Sequence, residues 1–434
     1  MFGAVVEQKI DAAIRFFMYV LIFWLPYSPA VIETCVILAF VLWLIKRSCA
    51  LFYNRLYQKN IWFWITAFSP PSTILNPSIG YFLGACLLSV LGSMFFADSM
   101  KTLITKILEW FIIYFLIVES FTDKKHFFLA LGILVFTSLS TILDSLIQFY
   151  ITYKDIFVHR VINAGERATA GFKTPNDLGG YLALIIPVLF SFLFMGKKKG
   201  YFVAYFIFFA LSLWALYTTN SRCSWFAVMA ALLLFMFVYY HDFLLKRKLK
   251  NLALIVFCTG MVFIFFSMNN PDLLLKGRSE TVGWRMHVWE ESWGMIKDKP
   301  IFGHGINTFM RIFQEYSEGA KYAPTYAHSS VVQMITETGF LGLLCFLAVI
   351  LQLFRTAYRD ILKDYNKNSL HIISLGLMAG AYGFFLQSMF DTSFQSLQLS
   401  SLFWFAAGLM IVLDNLFKKE ALCDITKPKI FYPT

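Results

Sequence analysis

The sequence predicts an all-α polytopic membrane protein, and three observations carry that prediction. Of 434 residues, 59% are hydrophobic, 19% aromatic and only 15% charged. Soluble domains carry about 25% charged residues, so an ordinary water-soluble enzyme is excluded. Apolar runs long enough to cross a bilayer as helices, at about 20 residues each, recur along most of the chain. The connections between them alternate between Lys/Arg-rich and Lys/Arg-poor, the signature of a chain threaded repeatedly across a membrane.

The runs fall at about 12–26, 30–45, 79–97, 103–119, 127–147, 180–195, 201–218, 223–240, 251–267, 328–353, 372–390 and 399–414. They predict about 12 transmembrane helices in a single integral membrane domain over 1–434. The first run continues almost directly into the second with no small-residue cleavage site, which reads as a retained span. Residues 61–68, followed by Ser69-Pro70-Pro71, are too short to span and read as a Trp-anchored interfacial segment.

Orientation follows from charge. Lys46, Arg47, Arg55, Lys59, Lys124, Lys125, Lys197 to Lys199, Lys246 to Lys250 and Arg355 to Lys367 lie on one set of connections. Both termini join that set. The opposite short connections, Pro26 to Pro29, Asp98 to Lys101 and Asp391 to Gln398, are almost free of Lys and Arg. The positive-inside rule therefore predicts cytoplasmic termini. The formal charge of +11 is absorbed by topology, so nucleic acid is not an expected partner. Seven scattered Cys without a CxxC pair predict neither a disulfide framework nor a metal site.

Two connections on the predicted outer side are long. Residues 148–179 contain GERATAGFKTPNDLGG, rich in turn formers. Residues 268–327 form the largest loop. Within it Val282, Met286, Trp289, Trp293 and Ile296 recur at helical spacing and predict an amphipathic helix stopped by Pro300. A second short helix is expected from Ile306 to Glu318, ending at Gly319. Trp on the apolar face places the pair at the membrane–water interface.

Four places on that side carry residues that topology does not require. Arg222 follows Thr218-Thr219-Asn220-Ser221 in a connection so short that its guanidinium must sit at the membrane edge. It either snorkels as an anchor or clamps a phosphate bidentately. Arg285 lies within GWRMHVWEESW, as a headgroup contact or a second guanidinium for a diphosphate. His328 closes Pro324-Thr325-Tyr326-Ala327 where the large loop meets the tenth span. It is either a hydrogen-bonded structural residue or a general base, its ordinary pKa of about 6.5 suiting proton abstraction at neutral pH. Arg167 and Lys173 add positive charge to the loop leading through Asn176 into span six, although turn chemistry alone explains Gly171, Pro175 and Asn176. Gly303-His304-Gly305 reads as a tight turn, since no strand–helix context supports a dinucleotide site. The His residues show no HExxH or similar spacing, and no carboxylate cluster is expected on the outer side. Glu33, Glu109, Glu119 and Asp144 lie singly near or inside spans and read as helix–helix hydrogen-bond partners.

TNSRCSW, GWRMHVWEESWGMIKDKPIFGHGINTF and YAHSSVVQMITETGFLGLL, in that order, resemble the O-antigen ligase and polymerase superfamily. ATAGFKTPNDLGGYL resembles an upstream Phe-x-x-Pro-Asn-x-x-Gly segment of the same family. The similarity covers about residues 165–350, and Ser329 stands where the family commonly has Asn. The resemblance implies a GT-C-like membrane glycosyltransferase without a metal or other cofactor, in the bacterial inner (cytoplasmic) membrane with a periplasmic active site. Its donor would be a glycan on undecaprenyl diphosphate. Its acceptor would be a hydroxyl of lipid A-core, as in an O-antigen ligase, or of another lipid-linked glycan, as in a polymerase. By that resemblance His328 takes the acceptor proton, Arg222 and Arg285 hold the diphosphate, and Arg167, Lys173, Asn176 and Tyr326 are substrate-binding positions. From another class, a polytopic transporter of lipid-linked glycans fits the span number, but the two halves show no repeat.

Overall fold

The computed structural model describes residues 2–54, 68–164, 166–195, 199–240, 279–317, 326–363 and 368–426. The expected span 251–267 and the interfacial stretch 61–67 lie outside the described residues. Among the described residues every regular element is helical, apart from one antiparallel bridge between Lys154 and Val161. The helices are α1 Phe2–Trp24, α2 Pro29–Asn54, α3 Asn76–Leu91, α4 Phe96–Thr102, α5 Leu108–Ser120, α6 Lys124–Ile147, α7 Pro175–Phe192 and α8 Lys199–Thr219. They continue as α9 Arg222–Tyr239, α10 Ser279–Asp298, α11 Phe309–Tyr316, α12 Ser330–Lys363, α13 Ser369–Met389 and α14 Leu397–Thr426. Short π-helical stretches join α4 to α5 (Leu103–Ile107) and extend α6 (Gln148–Thr152).

The protein is an all-α polytopic membrane protein. Eight of the described helices are long and apolar enough to cross a bilayer. Of the other expected spans, 12–26 falls in α1, whose first fourteen residues carry Glu7, Lys9, Asp11 and Arg15. Run 79–97 falls in the 16-residue α3 and its exit, and 103–119 in the π stretch and α5.

Helices α7, α13 and α14 form the buried centre, with large side chains such as Tyr181, Phe384 and Trp404 inaccessible to solvent. Close approach of α13 to α7 needs small residues. A Cβ at Gly380 would lie 2.2 Å from the Leu184 carbonyl oxygen, the backbone proximity that holds helices together where lipid removes the hydrophobic driving force.

Opposite ends of the bundle differ in character. At one end lie the basic connections, cross-braced by ion pairs. Lys46 bonds Asp11 at 2.7 Å and Glu119 at 3.0 Å, and Arg47 bonds Glu119 at 2.7 Å. Trp43 adds an indole N–H to Glu119 at 2.8 Å. Glu119 is thus the inter-helix partner that its position in the sequence suggested. Asp144 instead accepts the backbone N–H of Ile156 in the following loop, at 2.7 Å.

At the other end α10 and α11 pack over the bundle around Val288, Met295, Phe309, Ile312, Phe313 and Ala327. The buried face of α10 differs in part from the expected one: Ile296 is buried and Trp289 half-buried as expected, but the rest of the stripe is rotated. Val288, Ser292 and Met295 point inward, whereas Met286 and Trp293 are exposed. The stripe turned in is the one that meets α11 and Ala327, whose carbonyl accepts the Trp289 indole N–H at 2.8 Å. Helix α11 is shorter than expected, ending at Tyr316, and Gly319 lies outside the described residues.

This outer pair is tied to the spans through residues 299–306. Phe340 N–H donates to the Pro300 carbonyl at 2.8 Å, Gly305 N–H to the Glu337 carbonyl at 2.9 Å, and Ser99 Oγ to the Ile306 carbonyl at 2.9 Å. Gly339 interrupts α12 with φ +68°, and a Cβ there would lie 2.2 Å from the Ile301 oxygen. Only glycine meets both conditions. Gly303-His304-Gly305 is the expected turn, with His304 buried and its Nε2 2.9 Å from the Met295 carbonyl. Burial lowers the pKa of His304, keeping it a neutral structural residue.

Candidate functional site

Three of the four places singled out in the sequence meet where α9 begins, α13 ends and α12 begins. Ser221 caps α9 without a side-chain hydrogen bond, so Arg222 and Cys223 are its first two helical residues. Backbone N–H groups at a helix start are unpaired and carry partial positive charge. Asn220, with φ +47°, makes the tight turn out of α8. Arg222 is half-buried, and it has no hydrogen-bond or ion-pair partner among the described residues.

Arg285 arrives from α10. Its Nη1 donates to the Phe390 carbonyl at 2.9 Å and lies 4.0 Å from Cys223 Sγ. The second guanidinium is therefore fixed against the residue next to Arg222. No carboxylate pairs with Arg285 among the described residues.

His328 sits two residues before α12 in the left-handed region, φ +52°. A histidine held there spends conformational energy that the surroundings must supply. Ser330 supplies part of it, since its N–H and Oγ both donate to the Asp391 carbonyl, at 3.1 and 3.0 Å. The imidazole packs edge-to-face on Trp284, with centroids 5.0 Å apart. Its Nδ1 is buried, lacks a hydrogen bond and lies 3.9 Å from Asp391 Oδ1. Burial lowers the His328 pKa, the Asp391 carboxylate opposes that by raising it, and the Arg285 charge lowers it further. The balance favours a neutral imidazole, the form that accepts a proton.

The fourth place adjoins this cluster. Arg167 donates from Nε to the Thr219 carbonyl at 2.7 Å and from Nη2 to Asn176 Oδ1 at 2.5 Å. The carbonyl of Asn176 in turn accepts from Gln387 Nε2 at 3.4 Å, near the end of α13. Arg167 and Asn176 are therefore bonded to each other and buttress the Thr219–Arg222 turn. Lys173 is exposed, its carbonyl held by Arg160 Nη1 at 3.1 Å. Tyr326 is half-buried and has its pKa raised by burial, with the charges of Glu337 and Asp177 adding to the effect.

Asp391 was missed from the sequence. It is a lone acid in a short connection 47 residues beyond the end of the nearest motif, and its only signal was standing charged in a segment otherwise without charge. Trp284 was passed over because attention fell on the Trp residues at helical spacing. Among the described residues no three His, Cys, Asp or Glu side chains come together to hold a metal ion.

The chain was compared with known proteins. Residues 207–347 match the family model described as O-antigen ligase, a stretch that includes Arg222, Arg285 and His328. The exopolysaccharide production protein ExoQ of Rhizobium meliloti (strain 1021) is 24% identical over 226 residues, 48% of this chain and 51% of that protein. The chain thus aligns with about half the length of this curated relative. Over residues 207–347 the chain is thus similar to the O-antigen ligase family, and over about half its length to a protein of exopolysaccharide production.

Proposed function

We propose that the protein is an inverting glycosyltransferase that moves a glycan from undecaprenyl diphosphate to a sugar hydroxyl of lipid A-core, as an O-antigen ligase does. The observation that carries this reading is the neutral His328 imidazole under the charge of Arg285, which is held against Cys223 beside Arg222, neither arginine having a carboxylate partner among the described residues.

The acceptor hydroxyl attacks the anomeric carbon as the bond from that carbon to the diphosphate oxygen breaks. His328 takes the hydroxyl proton on Nε2, leaving Nδ1 facing Asp391, which stabilises the imidazolium once it forms. Charge grows on the departing diphosphate. Arg222, Arg285 and the first N–H groups of α9 meet it, and fixed donors of this kind need no reorganisation as the reaction proceeds. Two guanidinium groups supply here the charge that a divalent cation supplies elsewhere. Arg167 and Asn176 hold the Arg222 turn and, with Lys173 and Tyr326, border the donor glycan. The polyprenyl tail lies along the apolar spans beside this end.

The charge pattern of the connections supports a bacterial inner-membrane protein with its site on the periplasmic face. Cysteine at exposed Glu315 should then react with a membrane-impermeant maleimide in spheroplasts; labelling only after lysis contradicts this. A second reading, polymerisation onto another lipid-linked repeat, is favoured by the likeness to a protein of exopolysaccharide production. Purified protein given lipid-linked glycan, with and without lipid A-core, separates the two. Transfer only when lipid A-core is present supports the ligase; chain growth without it supports the polymerase; no transfer in either mixture rejects both.

A further inference from the structure

The loop after α6 does not project away from the bundle. The apolar helix through the π stretch runs 29 residues from Lys124 to Thr152, about 43 Å at 1.5 Å per residue and longer than a hydrocarbon core of about 30 Å. Tyr153, in the left-handed region at φ +53°, then reverses the chain. The returning segment runs back along α6, because Ile156 N–H donates to Asp144 Oδ1 at 2.7 Å. Asp144 lies about 30 Å along the helix from Lys124. The neighbouring Phe157 ring packs, tilted, with its centroid 4.1 Å from that of Tyr27, whose hydroxyl reaches Ser140 at 2.8 Å, one turn further down. The tip therefore lies beside residues 140–144, at the depth of the outer hydrocarbon boundary.

The tip is built for that depth. Ile156, Phe157 and Val158 are 49%, 41% and 38% exposed, three consecutive apolar side chains offered outward. Irregular backbone can enter lipid only if its polar groups are satisfied within the protein. Buried Asp155 does this, accepting N–H groups of Phe157 (3.1 Å), Val158 (2.6 Å) and His159 (3.1 Å) on Oδ1 and of Arg160 (2.5 Å) on Oδ2. With Asp144 on Ile156, five successive amides are bonded to two carboxylates. Exposed Lys154 and His159 flank the tip, where they meet lipid phosphates. Trp214 on α8 donates its indole N–H to Tyr150 at 2.9 Å, an aromatic pair of the kind found at membrane interfaces.

We propose that residues 154–161 are a re-entrant anchor seated in the phospholipid of the leaflet at the site's end of the bundle, its apolar tip among acyl chains and Lys154 and His159 among the headgroups. Its base is bonded to the site. Arg160 Nη1 holds the Lys173 carbonyl, and Gln148 Oε1 accepts the amides of Thr169 and Ala170 at 2.9 and 2.8 Å. The anchor thereby sets the height above the lipid of the segment that carries Arg167 and Lys173. The proposal rests on the membrane-spanning fold and is independent of the reaction.

The test uses the full chain in phosphatidylethanolamine/phosphatidylglycerol nanodiscs. A bimane label on Val158→Cys, with the native cysteines replaced, is expected to lose emission to acyl-chain-brominated lipid and to resist aqueous iodide; a label on Asn163→Cys should do the reverse. The unmodified protein with a diazirine-tailed phospholipid should yield lipid adducts on the peptide containing Ile156 to Val158. Iodide quenching at position 158 without adducts overturns the anchor. So does protection from both quenchers with cross-links to protein, which would mean that another polypeptide covers the tip.

Discussion

The two ends of the bundle treat several of their cations differently, although at the basic end Arg15 and Lys419 are held by the Ser120 and Thr122 carbonyls. At the basic end Lys46, Arg47 and Lys418 are each bonded to Asp11, Glu119 or Asp414. At the opposite end Arg222 has no partner among the described residues, and Arg285 is positioned by a backbone carbonyl that leaves its charge uncompensated. Even there the distinction holds, for Arg311 is paired with Asp98 at 2.6 Å where it docks α11 onto α4. A cation neutralised by its own chain serves the fold. An open charge alone does not mark a site, since Arg15 at the basic end is likewise held by a backbone carbonyl, that of Ser120 at 3.1 Å, with no carboxylate among the described residues; what sets Arg222 and Arg285 apart, in our proposal, is their place beside His328.

Substitutions at the two ends should therefore separate binding from stability. Arg222→Ala should weaken binding of a polyprenyl diphosphate by about 10- to 150-fold, the equivalent of 1.5–3 kcal/mol for a charge-assisted hydrogen bond, while the melting temperature stays near that of the parent protein. Arg222→Lys should recover only part of the loss, since it restores charge without the bidentate fork. Equilibrium binding to the variants in nanodiscs checks both. A large fall in melting temperature with donor affinity intact would reverse the assignment of the two ends.

Glu119→Gln is the mirror experiment. Losing the carboxylate shared by Lys46, Arg47 and Trp43 should lower stability by about 1–3 kcal/mol, read as earlier thermal unfolding, with donor affinity unchanged. A change in donor affinity would show that the basic end is coupled to the site.

The smallest effect concerns pH. A general base works only when unprotonated, so activity should fall as pH drops through the His328 pKa, which burial sets below the usual 6.5. Asp391 raises that pKa and Arg285 lowers it. Asp391→Asn should therefore move the acid limb of the kcat/KM profile to lower pH, and Arg285→Ala should move it higher. Shifts in the opposite directions would mean that another group titrates.

Much of this was legible in the sequence, because it was local. Apolar length anticipates the eight described helices long enough to cross a membrane, and the short connection before Arg222 places it at a helix start. The remainder depended on contacts between distant segments. Asp391 reaches His328 only because the start of α12 lies beside the end of α13, joined through Ser330. The buried face of α10 was misjudged because hydrophobicity alone favours Met286 and Trp293, whereas packing on α11 selects Val288 and Met295. Residues 148–179 read only as a long outer connection rich in turn formers, whereas Asp144 and Asp155 draw the backbone of 155–160 back along α6.

The central claim is that His328 takes a proton at a diphosphate site made by arginines, and a transfer assay with purified protein, lipid-linked glycan, acceptor and excess chelator tests it most directly. Wild-type protein should transfer at full rate under chelation. Folded His328→Ala should bind donor normally yet turn over about 10²–10⁴-fold more slowly, the range that acid–base catalysis contributes. Near-wild-type transfer by His328→Ala, or a chelator-induced loss that Mg²⁺ restores, would contradict the account.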